Sequence, residues 1–592
     1  MRPISPHWFP QVTAAPGLPF KTEAVTTERP SGRASSVDVK QGVSDPLLRV
    51  EELCVSFEGV GLAVDAVRGV SFEISQGEVF AIVGESGSGK SVTARALVGL
   101  AGNRARVEAK RLALAGRNGV PVDLHSLSPE AWRRLRGREI GFVLQDALSS
   151  LDPLRKIGRE VAEPIFAHGI LHRAEIPERV KELLVEVGIA DPKHVIAQYP
   201  HELSGGLRQR ALIASALAGE PRLLIADEPT TALDVSLQQQ VLSVFSGLAR
   251  AGHAVLLITH DLAVVAQVAA RIAVMQKGQI VETGTARDVL FAPRHEYTKR
   301  LLGAVPSAAT RGRRLASPPG EKLVNVHQAS LDPRAKPIIE ARSVSLAFTR
   351  PDGSRHDAVR DVSLKLYPGE TLGIVGESGS GKTTLGKLVL ALAKPHRGEV
   401  LLKGEEWSAA REKSRRVRRS IIQMITQDPF GSFDPRFDVA GIIEQPLRVS
   451  TTLDRAARRR RIASLLQMVG LEQSLSSRRG SELSGGQRQR VAIAQALASE
   501  PEVLVCDEPV SALDVTTQAQ VLDLLSDLQR RLGLAMIFVS HDLRVVQHLC
   551  HRIAVMKDGR IVETGTVEEI FETPKASYTQ ELLAALPQLP TR

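Results

Sequence analysis

The sequence predicts an α/β protein in which one module occurs twice, and three observations carry that expectation. The first is an internal repeat: GESGSGKS from Gly84 recurs as GESGSGKT from Gly376, and LSGG at Leu203 recurs at Leu483. Later landmarks recur in the same order. ADEPTTALDV from Ala226 matches CDEPVSALDV from Cys506, ITHDL from Ile258 matches VSHDL from Val539, and RIAVMQKGQIVETGT from Arg271 matches RIAVMKDGRIVETGT from Arg552. The second is the form of the apolar runs, which are short and end at the landmarks: VFAIV after Glu78, LLIA before Asp227, and AVLLI from Ala254. Continuous β-rich runs of this kind read as buried parallel strands with helices between them, so the chemistry collects at strand C-termini. The third is the stretch from Gly158 to Glu202, whose VKELLVEVG has helical periodicity and predicts a helical subdomain before LSGG.

In chain order, residues 1–46 contain Pro3, Pro6, Pro10, Pro16, Pro19 and Pro30 without the continuous apolar core of a secretory signal, and predict a flexible leader. Residues 47–306 form the first copy. Residues 307–337, rich in Ser, Pro, Gly and charge, predict an exposed linker, and residues 338–592 form the second copy. At 592 residues several buried cores are expected. Apolar residues make up 43% of the chain, yet no run approaches the roughly 18 to 20 needed to span a bilayer, so any membrane role is predicted to be peripheral. Cys54, Cys506 and Cys550 lie far apart without metal-ligand spacing, which suits a reducing compartment. The net charge of +10 is modest for this length. The runs Arg415, Arg416, Arg418, Arg419 and Arg458 to Arg461 lack interleaved aromatics for base stacking, so they predict solvated helix faces, and no nucleic-acid partner is expected.

The glycine loops match G-x-x-x-x-G-K-[ST], follow a strand and open a helix, the context that a phosphate-binding P-loop requires. The predicted nucleotide contacts are Gly84, Glu85, Ser86, Gly87, Ser88, Gly89, Lys90, Ser91 and Val92 in the first copy. In the second they are Gly376, Glu377, Ser378, Gly379, Ser380, Gly381, Lys382, Thr383 and Thr384. Backbone N–H groups and the helix N-terminus face phosphate, the lysines reach the β- and γ-phosphates of ATP, and Ser91 and Thr383 offer a hydroxyl to Mg²⁺. Asp227 and Asp507 end apolar strands, where a buried carboxylate needs a cation or donors, as a Mg²⁺ shell provides. The next residues, Glu228 and Glu508, are placed to act as general bases toward the attacking water. A lone Asp-Glu pair ends many strands as a loop cap; the repetition favours the functional reading. LSGGL and LSGGQ each open a helix with Ser204 or Ser484 as N-cap, and Gly205, Gly206, Gly485 and Gly486 leave another anion-binding terminus.

With glycine loop, LSGG, strand-Asp-Glu, Ala-Leu-Asp and strand-His in this order twice over, the chain resembles the ATP-binding cassette family. The resemblance implies two P-loop nucleotide-binding domains, each with a RecA-like parallel or mixed sheet core and a helical subdomain. It also implies that Gln145 and Gln427 touch Mg²⁺ and the reacting water, and that His260 and His541 contact the γ-phosphate. Asp234 and Asp514 would cross the interface, and Phe57 and Phe348 would stack on adenine, although core packing is a comparable reading for a Phe in a strand. Each LSGG would bind ATP held by the opposite cassette, pairing Lys90 with Ser484 and Lys382 with Ser204. Leu207 departs from the usual Gln of the signature, with a small effect expected.

The tails APRHEYTKRLLGAVP and TPKASYTQELLAALP, together with FVLQDALSSLDPLRKIG, ITQDPFGSFDPR and YPHELSGG, resemble the dipeptide and oligopeptide importer ATPases. That resemblance implies two transmembrane permease subunits, an extracytoplasmic solute-binding protein, and peripheral attachment at the cytoplasmic face of the bacterial inner membrane. Cargo could be peptides, glutathione or nickel complexes. The alternative is a soluble tandem cassette protein acting on ribosomes, which predicts a long charged helical linker; a DNA-repair ATPase predicts cysteine clusters. Neither feature is in the sequence.

Overall fold

The computed structural model describes residues 45–58, 64–102, 104–144, 150–230, 233–316, 335–349 and 355–586. The predicted leader up to residue 44, the middle of the predicted linker and Gln145 lie outside these residues. Among the described residues no helix is long and apolar enough to cross a membrane.

Each copy is built on a six-stranded sheet. In the first the spatial order is Gln279–Thr285, Arg271–Gln276, Val79–Val83, Ala254–Thr259, Leu223–Asp227, Ile140–Val143. All neighbours pair in parallel except Gln279–Thr285, which returns antiparallel after a tight turn. The second copy repeats the order with Arg560–Thr566, Arg552–Lys557, Thr371–Val375, Ala535–Val539, Val503–Asp507 and Ile422–Ile425. Val79–Val83, Ala254–Thr259 and Leu223–Asp227 are buried at every position, as continuous apolar runs covered on both faces must be.

One face of each sheet packs on helices. In the first cassette Ile157–His168, Ile176–Glu186 and Pro192–Ala197 lead into Gly205–Leu217; in the second Val439–Ser450 and Arg455–Met468 lead into Gly485–Leu497. The predicted helical subdomain is therefore present in both. The other face carries a feature that sequence periodicity did not single out, a curved antiparallel sheet. Leu48–Phe57 pairs with Val64–Ile74 and Arg111–Leu114, and Ile339–Thr349 pairs with Arg355–Leu366 and Arg397–Leu402. Its inward residues, such as Leu48, Leu53 and Ile74, share a core with Phe80, Ile82 and the helix Lys90–Leu97 that follows the glycine loop. That helix is thus clamped between two sheets, which fixes the loop before it.

Two expectations need correction. The start of the linker is not exposed throughout: Ala308, Ala309, Gly312, Arg313 and Ala316 are, but Leu315 is 3% exposed and joins the second cassette's core. Asp523 accepts hydrogen bonds from Leu315 N at 3.0 Å and Ala316 N at 2.9 Å, while Arg314 pairs with Asp527 at 2.9 Å and Arg311 with Glu568. A segment leaving the first cassette therefore clasps the second. The arginine cluster at 415–419 is not simply solvated either. Arg418 Nη2 donates to Leu402 O at 2.6 Å, which ties a short helix to the antiparallel sheet, while Arg415 Nη1 donates to Ala391 O at 3.3 Å and Arg419 forms two bonds to Glu412 at 2.9 Å.

Candidate functional site

In both copies a fully buried strand turns through the glycine loop into a helix whose N-cap, Gly89 or Gly381, has φ of 102° or 99°. A Cβ there would lie 2.4 Å from Ala66 O or 2.2 Å from Ala358 O, so the left-handed turn and the close approach both require glycine. The loop tips Ser86, Gly87, Ser378 and Gly379 face solvent, with Glu85 and Glu377 half-buried, whereas Ser88, Lys90, Ser380 and Lys382 are buried. Lys90 Nζ donates to Gly84 O at 2.8 Å and Glu85 O at 2.7 Å, and Lys382 Nζ repeats the pattern on Gly376 O and Glu377 O at the same distances. Burial lowers both lysine pKa values. The carboxylates of Glu228 and Asp227 oppose that shift at Lys90, as do Glu508 and Asp507 at Lys382. Val92 and Thr384 lie in the first helical turn.

Ser91 Oγ donates to Asp227 Oδ1 at 2.9 Å and Thr383 Oγ1 to Asp507 Oδ1 at 3.1 Å. Burial raises the pKa of both aspartates. Asp227 Oδ2 is buried without a hydrogen-bond partner, a cost of about 1–3 kcal/mol or more for a charged group unless something binds it. A hydroxyl and a carboxylate with a spare buried oxygen form the hard-oxygen donor set that Mg²⁺ takes when phosphates and water complete its shell.

Glu228 and Glu508 follow these aspartates with φ of 49° and 46°, values that cost a non-glycine residue free energy and recur where chemistry demands a particular side-chain direction. Their N–H groups donate to Ile258 O at 2.8 Å and Val539 O at 3.0 Å, which holds the strained turn against the neighbouring strand. The turn aims each carboxylate at the histidine ending that strand: His260 Nδ1 lies 3.3 Å from Glu228 Oε1, and His541 Nδ1 lies 3.2 Å from Glu508 Oε2. Burial works against a charged imidazole here, but the bond to the glutamate outweighs it and both histidine pKa values rise. Glu508, despite burial, is held below its ordinary range by His541. Gln427 Nε2 donates to the same Glu508 carboxylate at 3.0 Å. Glutamate, histidine and glutamine therefore converge on one point beside the lysine in the second cassette.

A cleft of about 340 Å³ around Lys382 is lined by Phe348, Gly379, Thr383, Thr384, Gln427, Glu508 and His541, and by Asp234 from the first cassette. Phe348 is 49% exposed at its rim, a ring open to a planar ligand. Phe57 is half-buried against the core between the two sheets, so the two phenylalanines are not equally presented.

The cassettes meet through the acidic residues predicted to cross. Asp234 caps Val235–Arg250 with Oδ1 and accepts from Ser378 N, in the other cassette's glycine loop, at 3.4 Å with Oδ2. Asp514 caps Val515–Leu532 and its charge acts on Lys90. Ser204 is not among the residues lining the cleft around Lys382, and both signature serines cap their own helices, accepting from Leu207 N at 3.4 Å and Gln487 N at 3.3 Å. Gln487 returns a bond from its side chain to Ser484 N at 3.0 Å, a capping box that Leu207 cannot form.

Sequence reasoning missed one pair of residues. Tyr297 and Tyr578, from the helices Glu296–Gly303 and Ser577–Ala584 of the two tails, are 2% and 6% exposed, and their hydroxyls accept from Glu85 N and Glu377 N at 3.1 Å. The repeated Tyr-Thr dipeptide of EYTKRLL and SYTQELL was the available signal. Each tail thus supports the glycine loop of its own cassette. Tyr297→Phe should leave that N–H unpaired, loosen the loop and raise KM for ATP several-fold with kcat nearly retained, as checked by ATP titration. An unchanged KM would remove this supporting role.

Comparison with known proteins identifies the family by sequence. The family model described as ABC transporter matches residues 67–231 and 359–511, and the model described as Oligopeptide/dipeptide transporter, C-terminal region, matches 281–330 and 562–592. The Glutathione import ATP-binding protein GsiA of Salmonella choleraesuis is 42% identical over 561 residues, spanning 92% of this chain and 90% of the relative. The protein of the same name from Pectobacterium atrosepticum is 41% identical over 557 residues, spanning 91% and 89%. The solved structure of cbiO1 from Clostridium perfringens, part of the ABC transporter complex cbiONQ, is 29% identical with a TM-score of 0.36, covering 40% of this chain and 92% of that one. The chain belongs to the ABC transporter family as a fused pair of ATP-hydrolysing cassettes, each followed by the C-terminal region of oligopeptide and dipeptide transporters.

Proposed function

We propose that this chain is the ATP-hydrolysing motor of an importer for peptides or peptide-like solutes such as glutathione. It would act from the cytoplasmic face of a bacterial inner membrane on two permease subunits supplied by an extracytoplasmic binding protein. The observation that carries the motor reading is the doubled convergence of a P-loop lysine, a strand-end Asp-Glu and a histidine bonded to that glutamate. The tail match and the two GsiA relatives support the importer and its cargo class; none of the relatives named above is a ribosomal factor.

In this reading the lysines leave the loop carbonyls to contact the β- and γ-phosphates. Ser91 with Asp227, and Thr383 with Asp507, hold Mg²⁺, joined by Gln145 and Gln427; the ion supplies charge neutralisation at the phosphates. Glu228 and Glu508 orient the attacking water and accept its proton, while His260 and His541 turn from the glutamate to the γ-phosphate. Phe348 stacks on adenine in the second site, and Phe57 does so less openly in the first. Closure brings Ser204, Gly205 and Gly206 to the ATP held by Lys382, and Ser484, Gly485 and Gly486 to that held by Lys90, with phosphate replacing cleft water at each helix N-terminus.

The test is uptake of radiolabelled glutathione and of a labelled dipeptide by cells lacking this gene, complemented with the wild-type chain or with Glu228→Gln plus Glu508→Gln. The reading predicts uptake of at least one solute restored by the wild type alone. Equal uptake of both solutes with and without the wild-type chain would overturn the cargo class.

A further inference from the structure

The two cassettes differ in charge at one position beside their site histidines. After the histidines the sequences run His260-Asp261-Leu262-Ala263 and His541-Asp542-Leu543-Arg544. Asp261 and Asp542 cap equivalent helices, accepting from Ala263 N at 2.8 Å and Arg544 N at 2.9 Å. Arg544 also reaches across to the first cassette: its Nη2 and Nη1 donate to Asp261 Oδ2 at 3.0 Å and Oδ1 at 3.3 Å. Its Nε and Nη2 hold Asp542 Oδ1 and Oδ2 at 3.1 Å each. The three side chains are 18–22% exposed. They line a small interface cavity of about 100 Å³ together with His260, His541 and Glu508, walled by apolar residues including Leu233 and Leu513. In a site so shielded from water a bidentate guanidinium–carboxylate pair is strong and geometrically specific. Arg544 holds Asp261 ionised despite burial. A single cation therefore joins the two carboxylates that immediately follow the two site histidines, and Ala263 leaves the reciprocal position without one.

We propose that Arg544 is a positioning residue that couples the two ATP sites. Through Asp261 and Asp542 it ties the His260 turn to the His541 turn, so that a change of position of one histidine is felt at the other. This rests on the assignment of both histidines to the γ-phosphate. Being one-sided, the link also adds to the non-equivalence of the two sites.

The test uses the full chain and its Mg²⁺-dependent ATP hydrolysis, with thermal unfolding measured alongside. For the wild type the coupling predicts a Hill coefficient above 1, bounded by about 2 for two sites, and a loss of well over half the rate when either Glu228 or Glu508 alone becomes Gln. Arg544→Ala should bring the Hill coefficient to about 1 and leave about half the rate in each single Glu→Gln background. Moving the cation, Arg544→Ala with Ala263→Arg, should restore cooperativity, which a merely structural loss would not. Asp261→Asn, which keeps shape and leaves Arg544 on Asp542, should reproduce the loss and serves if Arg544→Ala fails to fold. Non-cooperative hydrolysis by the wild type, or undiminished cooperativity in a folded Arg544→Ala or Asp261→Asn chain, would overturn the proposal. Failure of the ATPase reading is recognised separately, as undiminished hydrolysis when Glu228 and Glu508 are both Gln.

Discussion

Glu228→Gln combined with Glu508→Gln is expected to lower Mg²⁺-dependent ATP hydrolysis by about 100-fold or more while ATP binding persists. A positioned general base contributes about 10²–10⁴ in rate, and each tenfold corresponds to about 1.4 kcal/mol of barrier. The amide keeps the shape of the strained turn but cannot accept the proton. Binding should survive because the phosphate contacts come from the glycine loops and lysines, whose backbone geometry does not involve the glutamates. The same change has a signature apart from activity. His541 is raised and Glu508 lowered by their mutual bond. The histidine's share of that stability is fully present below its unfolded pKa of about 6.5 and is lost as pH rises through the raised folded value. The glutamate's share is present above about 4.3 and is lost as pH falls through the depressed value. In Glu508→Gln the His541 titration, followed by NMR, should move down toward the free imidazole range. Retention of the raised value would show that Glu508 is not its cause.

Lys90→Ala is expected to weaken ATP binding at one of the two sites by roughly 10- to 100-fold, the scale of a lost charge-assisted contact of about 1.5–3 kcal/mol. Lys90 is buried and carries its charge against desolvation because Asp227, Glu228 and the crossing Asp514 surround it. Phosphate would meet that charge in a shielded place. Lys382 is held by other carboxylates, Glu508, Asp234 and Asp507, so its site should still fill, weakened only by the coupling it loses. Stoichiometry with a labelled non-hydrolysable ATP analogue checks this: about one nucleotide per chain is expected at concentrations that fill two in the wild type. Loss of both sites would mean that the cassettes bind ATP only together.

The sheet strands and the P-loops were legible because their signals are local. A run such as VFAIV has one stable environment, between two covered faces, and GESGSGKS has backbone requirements that few other turns share. The antiparallel sheet was not legible because its strands alternate and are interrupted by bulges, with register shifts between Val50 and Leu53 and again beyond Val55, which blur a period of two. The linker's docking was hidden for a different reason. Composition described Ser307 to Ala316 correctly as polar, but one apolar residue, Leu315, and two backbone N–H groups aimed at Asp523 suffice to fasten it. The tail tyrosines and Arg544 act through partners about two hundred residues or more distant in sequence, and such contacts have no period to read. The signature serines show the converse case, a motif plain in sequence whose visible bonds are the N-caps of its own helices.

The most direct test of the central claim, that these two ATP sites drive membrane transport, is affinity capture of the tagged Glu228→Gln, Glu508→Gln chain from detergent-solubilised cells with ATP and Mg²⁺. The captured proteins would be identified by mass spectrometry. The account predicts multi-spanning permeases held by the ATP-locked chain and lost when ATP is omitted. Recovery of ribosomes without any multi-spanning membrane protein would contradict it.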